Sequence, residues 1–349
     1  MHFGHANSLR QAKAMSDYLI VGVHTDEDIM KNKGPTVATQ EERYKMVRAC
    51  KWVDEVYEGA PYVTQLAMMD KENIDFVVHG NDITCDADGN DCYQEIKDAG
   101  RYRECQRTQG VSTTDLVGRM LLLTKTHFDR PQDGEAPSHI EDMYKHAQGA
   151  VKGSPYTGVT QFLQTSQKIV QFSSGTEPKP GDKVVYVSGT FDLFHAGHCD
   201  FLEAAKAKGD YLIVGLYTDL EVNAWKGSNW PIMNLHERTL SVLANRHVDN
   251  VVIGAPMELT PELLEHFHVD VVVHGERPVA KKDQGVDIFK VAREKGTVET
   301  VQSGSELHAE MVVERILKNK QMYEERNQKK IDKELRIMKA VEAGTIKMK

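Results

Sequence analysis

At 349 residues, with 40% hydrophobic and 27% charged side chains, the chain can bury two ordinary cores without disulfides or structural metal, and it is neither fibrous nor largely disordered. Fifty-two Asp and Glu outweigh 43 Lys and Arg, a formal net charge of -9 that disfavours nucleic acid as a partner, so an anionic ligand needs a local cationic site. Five scattered cysteines without a CxxC pair speak against a disulfide framework or zinc ribbon. No apolar run reaches the roughly 18 residues of a membrane span, and Met1 to His5 lacks the pattern of a secretory leader, so a cytoplasmic protein without a transmembrane segment is expected.

In chain order, His2-Phe3-Gly4-His5 opens a helix, and a strand follows at Asp17 to Gly22. The six residues of that strand return unchanged at Asp210 to Gly215, a displacement of 193. His5 with His198, Thr25-Asp26 with Thr218-Asp219, and Lys33-Gly34 with Lys226-Gly227 keep the same displacement. After a two-residue insertion, Glu42-Arg43, Val53-Asp54 and His79-Gly80 match Glu237-Arg238, Val248-Asp249 and His274-Gly275 at 195. So long a colinear series predicts two copies of one domain, residues 1–125 and 181–318, and a period of this size excludes a solenoid.

Arg107-Thr108-Gln109-Gly110-Val111-Ser112-Thr113 closes the first copy, with Ser112 or Thr113 starting a helix through Leu116 to Leu123. Residues 126–180 carry Pro131, Gly134, Pro137, Gly153, Pro155, Pro178 and Pro180, as a connector does, and Phe162 to Phe172 reads as a helix packed between the copies. The second copy reads as strand Val184 to Val187, a loop, a helix from about His198 to Lys208, and strand Tyr211 to Leu216. Strand Val251 to Ile253, a helix from Thr260 to Phe267 with Thr260 as cap and Pro261 at its first position, and strand Val269 to Val273 complete it. Short apolar strands alternating with helices predict an α/β fold with parallel sheets and ligands beyond the strands' carboxyl ends. Residues 319–349 form a mixed-charge helical tail, read as solvated rather than membrane-bound.

Chemistry concentrates in Gly189-Thr190-Phe191-Asp192-Leu193-Phe194-His195-Ala196-Gly197-His198, between a strand and a helix. A glycine lets backbone approach a phosphate, and two imidazoles three apart at a helix N-terminus can point at one anionic group, which suits a transferring phosphoryl. Zinc ligation by His195 and His198 lacks a third ligand at suitable spacing, so no metal site is expected. A core-filling role is disfavoured because the first copy repeats the pair as His2 and His5.

On these residues the chain resembles the HxGH nucleotidyltransferase family from Met1 to about Lys318, and its doubled form resembles cytidylyltransferases acting on phosphoethanolamine. Class I aminoacyl-tRNA synthetases share a similar motif, but no KMSKS-like loop is found. The resemblance implies tandem Rossmann-like domains, CTP and phosphoethanolamine as substrates, Mg²⁺ as cofactor, and CMP transfer in phospholipid biosynthesis. It also implies that Lys33 and Lys226 contact the triphosphate and that the RTxGxST signature, read fully by Arg107 to Thr113, holds the outer phosphates through Arg107, Thr108, Ser112 and Thr113. His195 and His198, and equally His2 and His5, would meet the α and β phosphates, with Gly189, Thr190, Phe191, Asp192 and Gly197 completing the loop. His274-Gly275-Glu276-Arg277 and His79-Gly80-Asn81-Asp82 follow sheet strands, where the base would lie, and suit a ligand role or a turn role alike. Asp192 would orient the loop, meet the substrate ammonium or, as an exposed carboxylate, cap a helix.

The copies are unequal. At a displacement of 195, Gln302 stands opposite Arg107, Ser303 opposite Thr108, Leu307 opposite Ser112 and His308 opposite Thr113. The arginine is lost, and Ser303-Gly304-Ser305, followed by Glu306 and Leu307, is left to offer backbone N–H groups to CTP. Met1 aligns with Phe194, so nothing in the first copy matches Val184 to Leu193, and sheet edges there should be unpaired. A catalytically silent nucleotide-binding form, phosphocholine as substrate, and a homodimer therefore all stay open.

Overall fold

The computed structural model describes residues 1–81, 84–86, 90–108, 111–121, 164–276, 287–325 and 328. The first copy runs α1 (Phe3–Lys13), β1 (Ile20–Val23), α2 (Asp26–Lys33), α3 (Gln40–Arg48), β2 (Glu55–Glu58), α4 (Leu66–Lys71), β3 (Val77–Gly80), α5 (Gln94–Asp98), β4 (Tyr102–Cys105) and α6 (Thr113–Leu121). Helix α7 (Gln164–Phe172) precedes the second copy. There follow β5 (Val184–Gly189), α8 (Ala196–Lys206), β6 (Tyr211–Leu216), α9 (Asp219–Lys226), α10 (Leu235–Leu243), β7 (Asn250–Ile253), α11 (Pro261–His266), β8 (Val271–Gly275), α12 (Lys290–Glu294), β9 (Val298–Val301) and α13 (Ala309–Lys318). Polar caps set where helices begin: Thr25 and Thr218, Thr39 and Asn234, and Thr260 accept from backbone amides of the first turn, which otherwise lack partners.

In the second copy five parallel strands are ordered β7-β6-β5-β8-β9. Strand β5 is central, and its unbroken Val-Val-Tyr-Val run is buried because helices cover both faces of a parallel sheet. The first copy instead holds two separate parallel pairs, β1-β2 and β3-β4, which match β6-β7 and β8-β9. The place of β5 lies between them, so the predicted unpaired edges are present. Ile20 to Val23 and Phe76 to Gly80 both line a cavity of about 2050 Å³.

Two arginines register the same difference. Arg238, fully buried, donates to the carbonyls of Met233, Thr190 and Tyr217 and to the Asp219 carboxylate. Its counterpart Arg43 donates to the carbonyls of Ala38 and His24 and to Asp26, but among the described residues it has no equivalent of Thr190 and its buried Nε has no partner.

The copies share a core. Cys50 and Asn245, at equivalent positions, pair as an antiparallel bridge; Lys51 N donates to Ala244 O at 3.0 Å and Arg246 N to Ala49 O at 2.8 Å. A local twofold axis thus passes between them. Helix α1 packs on α10 and α8 on α3, and Met46 and Ala49 lie in one apolar cluster with Val185 and Val214. The axis also relates two ion pairs, Arg119–Glu237 and Arg315–Glu42, each 2.8 Å. Phe172 of α7 is fully buried with Phe3, Leu240 and Leu243 and meets Trp52 edge-on at 4.9 Å, so the connector helix packs between the copies as expected.

Three expectations change. Beyond β3 and β8 the displacement is 196, since β4 begins at Tyr102 and β9 at Val298, and α5 at Gln94 and α12 at Lys290. Ser303, not Gln302, therefore stands opposite Arg107, and His308 stands opposite Ser112. Those last two both cap helices, accepting from Asp115 N and Met311 N. The described start of the tail, residues 319–325, is exposed as expected except at Tyr323, which is 2% exposed and donates its hydroxyl to Thr36 O at 2.6 Å on the first copy. The second-copy helix starts two residues earlier than expected, at Ala196, because His195 takes the extended conformation of a cap. Connector residues 122–163, tail residues 326–327 and 329–349, and Arg277, Asp82, Gln109 and Gly110 lie outside the described residues. Among the described residues no helix is long and apolar enough to cross a membrane.

Glu237 is 4% exposed and holds both Arg119 across the interface and the Asn234 amide. Glu237→Ala should therefore lower the free energy of unfolding by about 3 kcal/mol, the cost of stranding a partly buried partner. Urea denaturation should show the loss as one transition for the whole chain; separate transitions for the two copies would contradict the shared core.

Candidate active site

The chain leaves the carboxyl end of β5 through a loop in which Phe191 and Leu193 take left-handed conformations, φ 50° and 46°. Buried bonds offset that strain. The Asp192 carboxylate accepts from the amides of Leu193 at 2.9 Å, Ile232 at 2.6 Å and Met233 at 2.9 Å, and Arg238 Nη1 holds Thr190 O at 2.8 Å. Asp192 is 2% exposed, so of the roles expected for it loop orientation is the one the geometry serves, and the exposed-cap reading falls. Burial pushes its carboxyl above the usual range, opposed by those amides and by Arg238.

The loop delivers His195 to the N-terminus of α8, with its ring stacked on His198 at a centroid distance of 3.8 Å. His195 N donates to His198 Nδ1 at 3.3 Å, and Phe191 and Phe194 flank the His198 ring at 5.2 and 5.4 Å. His195 is 6% exposed, and among the described residues neither ring nitrogen has a hydrogen-bond partner. Burial first, then His308, lowers its pKa from 6.5 to about 3; burial, His195 and Lys226 hold His198 well below 6.5. Both rings are neutral at pH 7 and can donate one N–H each without bringing a charge.

The glycine between the histidines serves packing. A Cβ on Gly197 would stand 2.6 Å from Leu307 O, and one on Gly4 2.9 Å from Val111 Cγ1. Each helix N-terminus thereby meets the segment leading into the last helix of its own copy, bringing imidazoles and the predicted phosphate loop together.

In the first copy the His2 and His5 rings lie 3.9 Å apart, tilted by 47°; His2 N donates to His5 Nδ1 at 3.3 Å and Gly4 N to His2 Nδ1 at 3.1 Å. The His5 pKa is lowered by burial, then by the N-terminal ammonium, Lys33 and Arg107. Its ring nonetheless keeps surface open to the cavity, so water opposes that depression more than at His195. Lys33 sits 5.5 Å over the Tyr62 ring. Arg107 is exposed and its amide donates to Asn81 Oδ1 at 3.2 Å; Thr108 accepts from Asn7 Nδ2 at 2.9 Å. His2, His5, Lys33, His79, Gly80, Arg107, Thr108, Ser112 and Thr113 all line the same cavity.

The second copy is more closed. Lys226 donates to Glu310 at 2.6 Å and lies 4.4 Å from the Trp230 ring. Ser303 and Ser305 bond each other, Leu307 N donates to Ser305 Oγ, and Gly304 turns the loop at φ 66°, so much of its polarity is spent locally. Glu306 follows that turn, and Glu276 accepts from Gln302 at 2.6 Å. His274 meets Gly275 O at 2.7 Å and Thr300 at 3.2 Å and stacks on Phe289 at 4.9 Å, and His79 meets Gly80 O and Tyr93 in the same manner. Both histidines are thus tied into strand-end turns. Sequence reasoning missed Glu310. At a displacement of 195 it faces Asp115, another acid, and only the register of 196 sets it opposite Thr114. Among the described residues no group of three or more His, Cys, Asp or Glu is placed to hold a metal ion.

The cytidylyltransferase-like family matches residues 1–119 and 186–331. Mouse ethanolamine-phosphate cytidylyltransferase is 56% identical, over 97% of this chain and 89% of its own length. The Dictyostelium discoideum enzyme of the same name is 53% identical, over 96% and 92%. Mouse choline-phosphate cytidylyltransferase A, 43% identical, aligns over only 34% of this chain and 33% of itself. Paired HxGH segments on an internally doubled parallel α/β fold, matched across most of both chains, place this protein in the cytidylyltransferase-like family, among the ethanolamine-phosphate cytidylyltransferases.

Proposed function

We propose that the chain transfers CMP from CTP to phosphoethanolamine, releasing pyrophosphate and forming CDP-ethanolamine. The observation that carries this reading is the convergence of His2, His5, Lys33, Arg107, Ser112 and Thr113 on one cavity in a protein of net charge -9. Local cations and a helix N-terminus are what a triphosphate requires in such a field. The full-length likeness to enzymes named for ethanolamine phosphate, against one-third coverage for choline phosphate, supports phosphoethanolamine over phosphocholine.

A phosphate oxygen of phosphoethanolamine attacks the α-phosphorus of CTP in line; the bond from the α-phosphorus to the bridging oxygen breaks, and that oxygen leaves with pyrophosphate, without a covalent enzyme intermediate. His2 and His5 donate to the α and β phosphates, while Lys33 and Arg107 draw negative charge toward the leaving pyrophosphate. Ser112 and Thr113 present the N-terminus of α6 to the outer phosphates. A Mg²⁺ ion bound by the triphosphate would offset its charge, in keeping with that ion's preference for substrate oxygens and water over an all-protein cage. In the second copy His195, His198 and the Gly189–Asp192 loop form the corresponding nucleotide site.

A second reading, nucleotide binding without turnover, is favoured by the split sheet of the first copy. Incubating the chain with labelled CTP, Mg²⁺ and phosphoethanolamine separates the two: CDP-ethanolamine above background supports transfer, and bound CTP without product supports the silent form. Faster turnover of phosphocholine in competition would refute the substrate.

Arg107→Ala should lower kcat/KM for CTP roughly 10²-fold by removing a donor to the leaving group, and His5→Ala by at least as much. Steady-state kinetics at fixed Mg²⁺ check both, and an unchanged Arg107→Ala enzyme would remove Arg107 from the site. A pH effect on stability follows from His195. Its native pKa of about 3 lies below the ordinary 6.5, so the unfolded chain binds the proton first. Stability is full above about pH 6.5 and is lost as pH falls toward 3. The thermal midpoint should drop between pH 7 and 4, and less steeply in His195→Gln; equal slopes would contradict the buried neutral imidazole.

A further inference from the structure

The two copies differ in electrostatics where the outer phosphates of a nucleotide would lie. In the first, Lys33 and Arg107 line the cavity, and the residue at the start of the last helix is Thr114. In the second, the arginine is replaced by Ser303, and Thr114 by Glu310. The Glu310 carboxylate receives Lys226 Nζ at 2.6 Å. Lys226 is further enclosed by Trp230 at 4.4 Å and Trp225 at 5.6 Å, leaving its side chain 16% exposed. A carboxylate held by a lysine at a helix N-terminus has the charge and the donors of a bound phosphate oxygen.

The inner part of the same site holds an unsatisfied imidazole. His195 is more than nine-tenths buried and among the described residues both its ring nitrogens lack a hydrogen-bond partner; it lies at the N-terminus of the eleven-residue helix α8, stacked on His198. Leaving such a ring unsatisfied costs free energy that one phosphoryl group would recover. We propose that Glu310 permanently occupies the outer-phosphate position of the second copy, so that this copy binds a nucleotide with a single phosphoryl group, a nucleoside monophosphate, and excludes the triphosphate. Two further phosphates would meet a lysine already paired with a carboxylate and serine at the place of Arg107; the first copy carries threonine at the place of Glu310. The proposal rests on reading both copies as nucleotide sites, and it divides them by ligand: the first takes the substrate, the second a nucleotide that lacks the leaving group.

The tryptophans make the second copy separately observable. The chain has three, Trp52, Trp225 and Trp230, and the last two flank Lys226. In a Trp52→Phe background, tryptophan fluorescence titrated with CMP and with CTP therefore reports the second copy alone. CMP should bind at least about tenfold more tightly than CTP, and adding Glu310→Gln should tighten CTP by about tenfold, a difference near 1.4 kcal/mol. Glu310→Asp, which keeps the charge, should keep the preference for CMP, separating charge from packing, and thermal midpoints confirm that each variant is folded. The proposal is overturned if CTP binds as tightly as CMP with Glu310 in place, if Glu310→Gln leaves CTP affinity unchanged, or if neither nucleotide alters the signal. Turnover of phosphoethanolamine by the unaltered chain, measured alongside, keeps the outcomes apart: normal turnover with no effect of Glu310 sinks this inference alone. A Glu310-dependent preference without turnover sinks only the enzymatic reading.

Discussion

The close approach of a helix N-terminus to the segment that begins the last helix of each copy is the constraint on which the site depends. At Gly197 and Gly4 there is no room for a β-carbon, because Leu307 O and the Val111 side chain stand where it would be. Two sets of groups far apart in sequence, the histidines and the residues after β4 or β9, are held together by that contact. With a side chain at either glycine the helix would move away, and paired imidazoles and predicted phosphate loop would face different spaces. The glycine of the motif is thus explained by backbone packing as much as by any ligand.

The second constraint is the middle strand. With β5 present, its apolar run pairs with β6 and β8 and joins five strands into one sheet, and the loop beyond it is fixed by Asp192 and Arg238 although two of its residues are left-handed. Where no counterpart stands, the neighbours remain as pairs around a large cavity, and Arg43 keeps a buried nitrogen with no partner. The first copy keeps its shape because it is built against the second. Bonds across the local twofold, the Arg119–Glu237 and Arg315–Glu42 pairs and the apolar cluster around Phe172 supply contacts that a split sheet lacks.

Duplication has also divided the phosphate chemistry. The first copy carries arginine at 107 and threonine at the start of its last helix; the second carries serine at the place of that arginine and a glutamate on its lysine. The buried imidazoles of the second copy are neutral, and the His5 pKa is lowered too although its ring keeps surface open to the cavity, as suits groups that donate to phosphate oxygens without adding a cation that would bind substrate and pyrophosphate alike.

Much of this was legible in the sequence. An exact six-residue repeat and a colinear series of matches determined the doubling, and β-branched runs between helical segments determined parallel α/β sheets, because strand burial on both faces leaves so plain a compositional mark. HxGH, the two lysines and the arginine signature were readable for the same reason: charged and aromatic groups at fixed spacing stand out from a core. Only the tertiary structure decided that Asp192 is buried, that His274 and His79 close turns, that Tyr323 docks on the first copy, and that Lys226 is paired with Glu310. Each depends on which side chains meet across many tens of residues, and on a one-residue insertion before β9 that lets Asp115 stand in for Thr114 when the copies are aligned by sequence alone. Local pattern fixes strands and helices, whereas the partner of a buried charge is set by packing, which pattern does not encode.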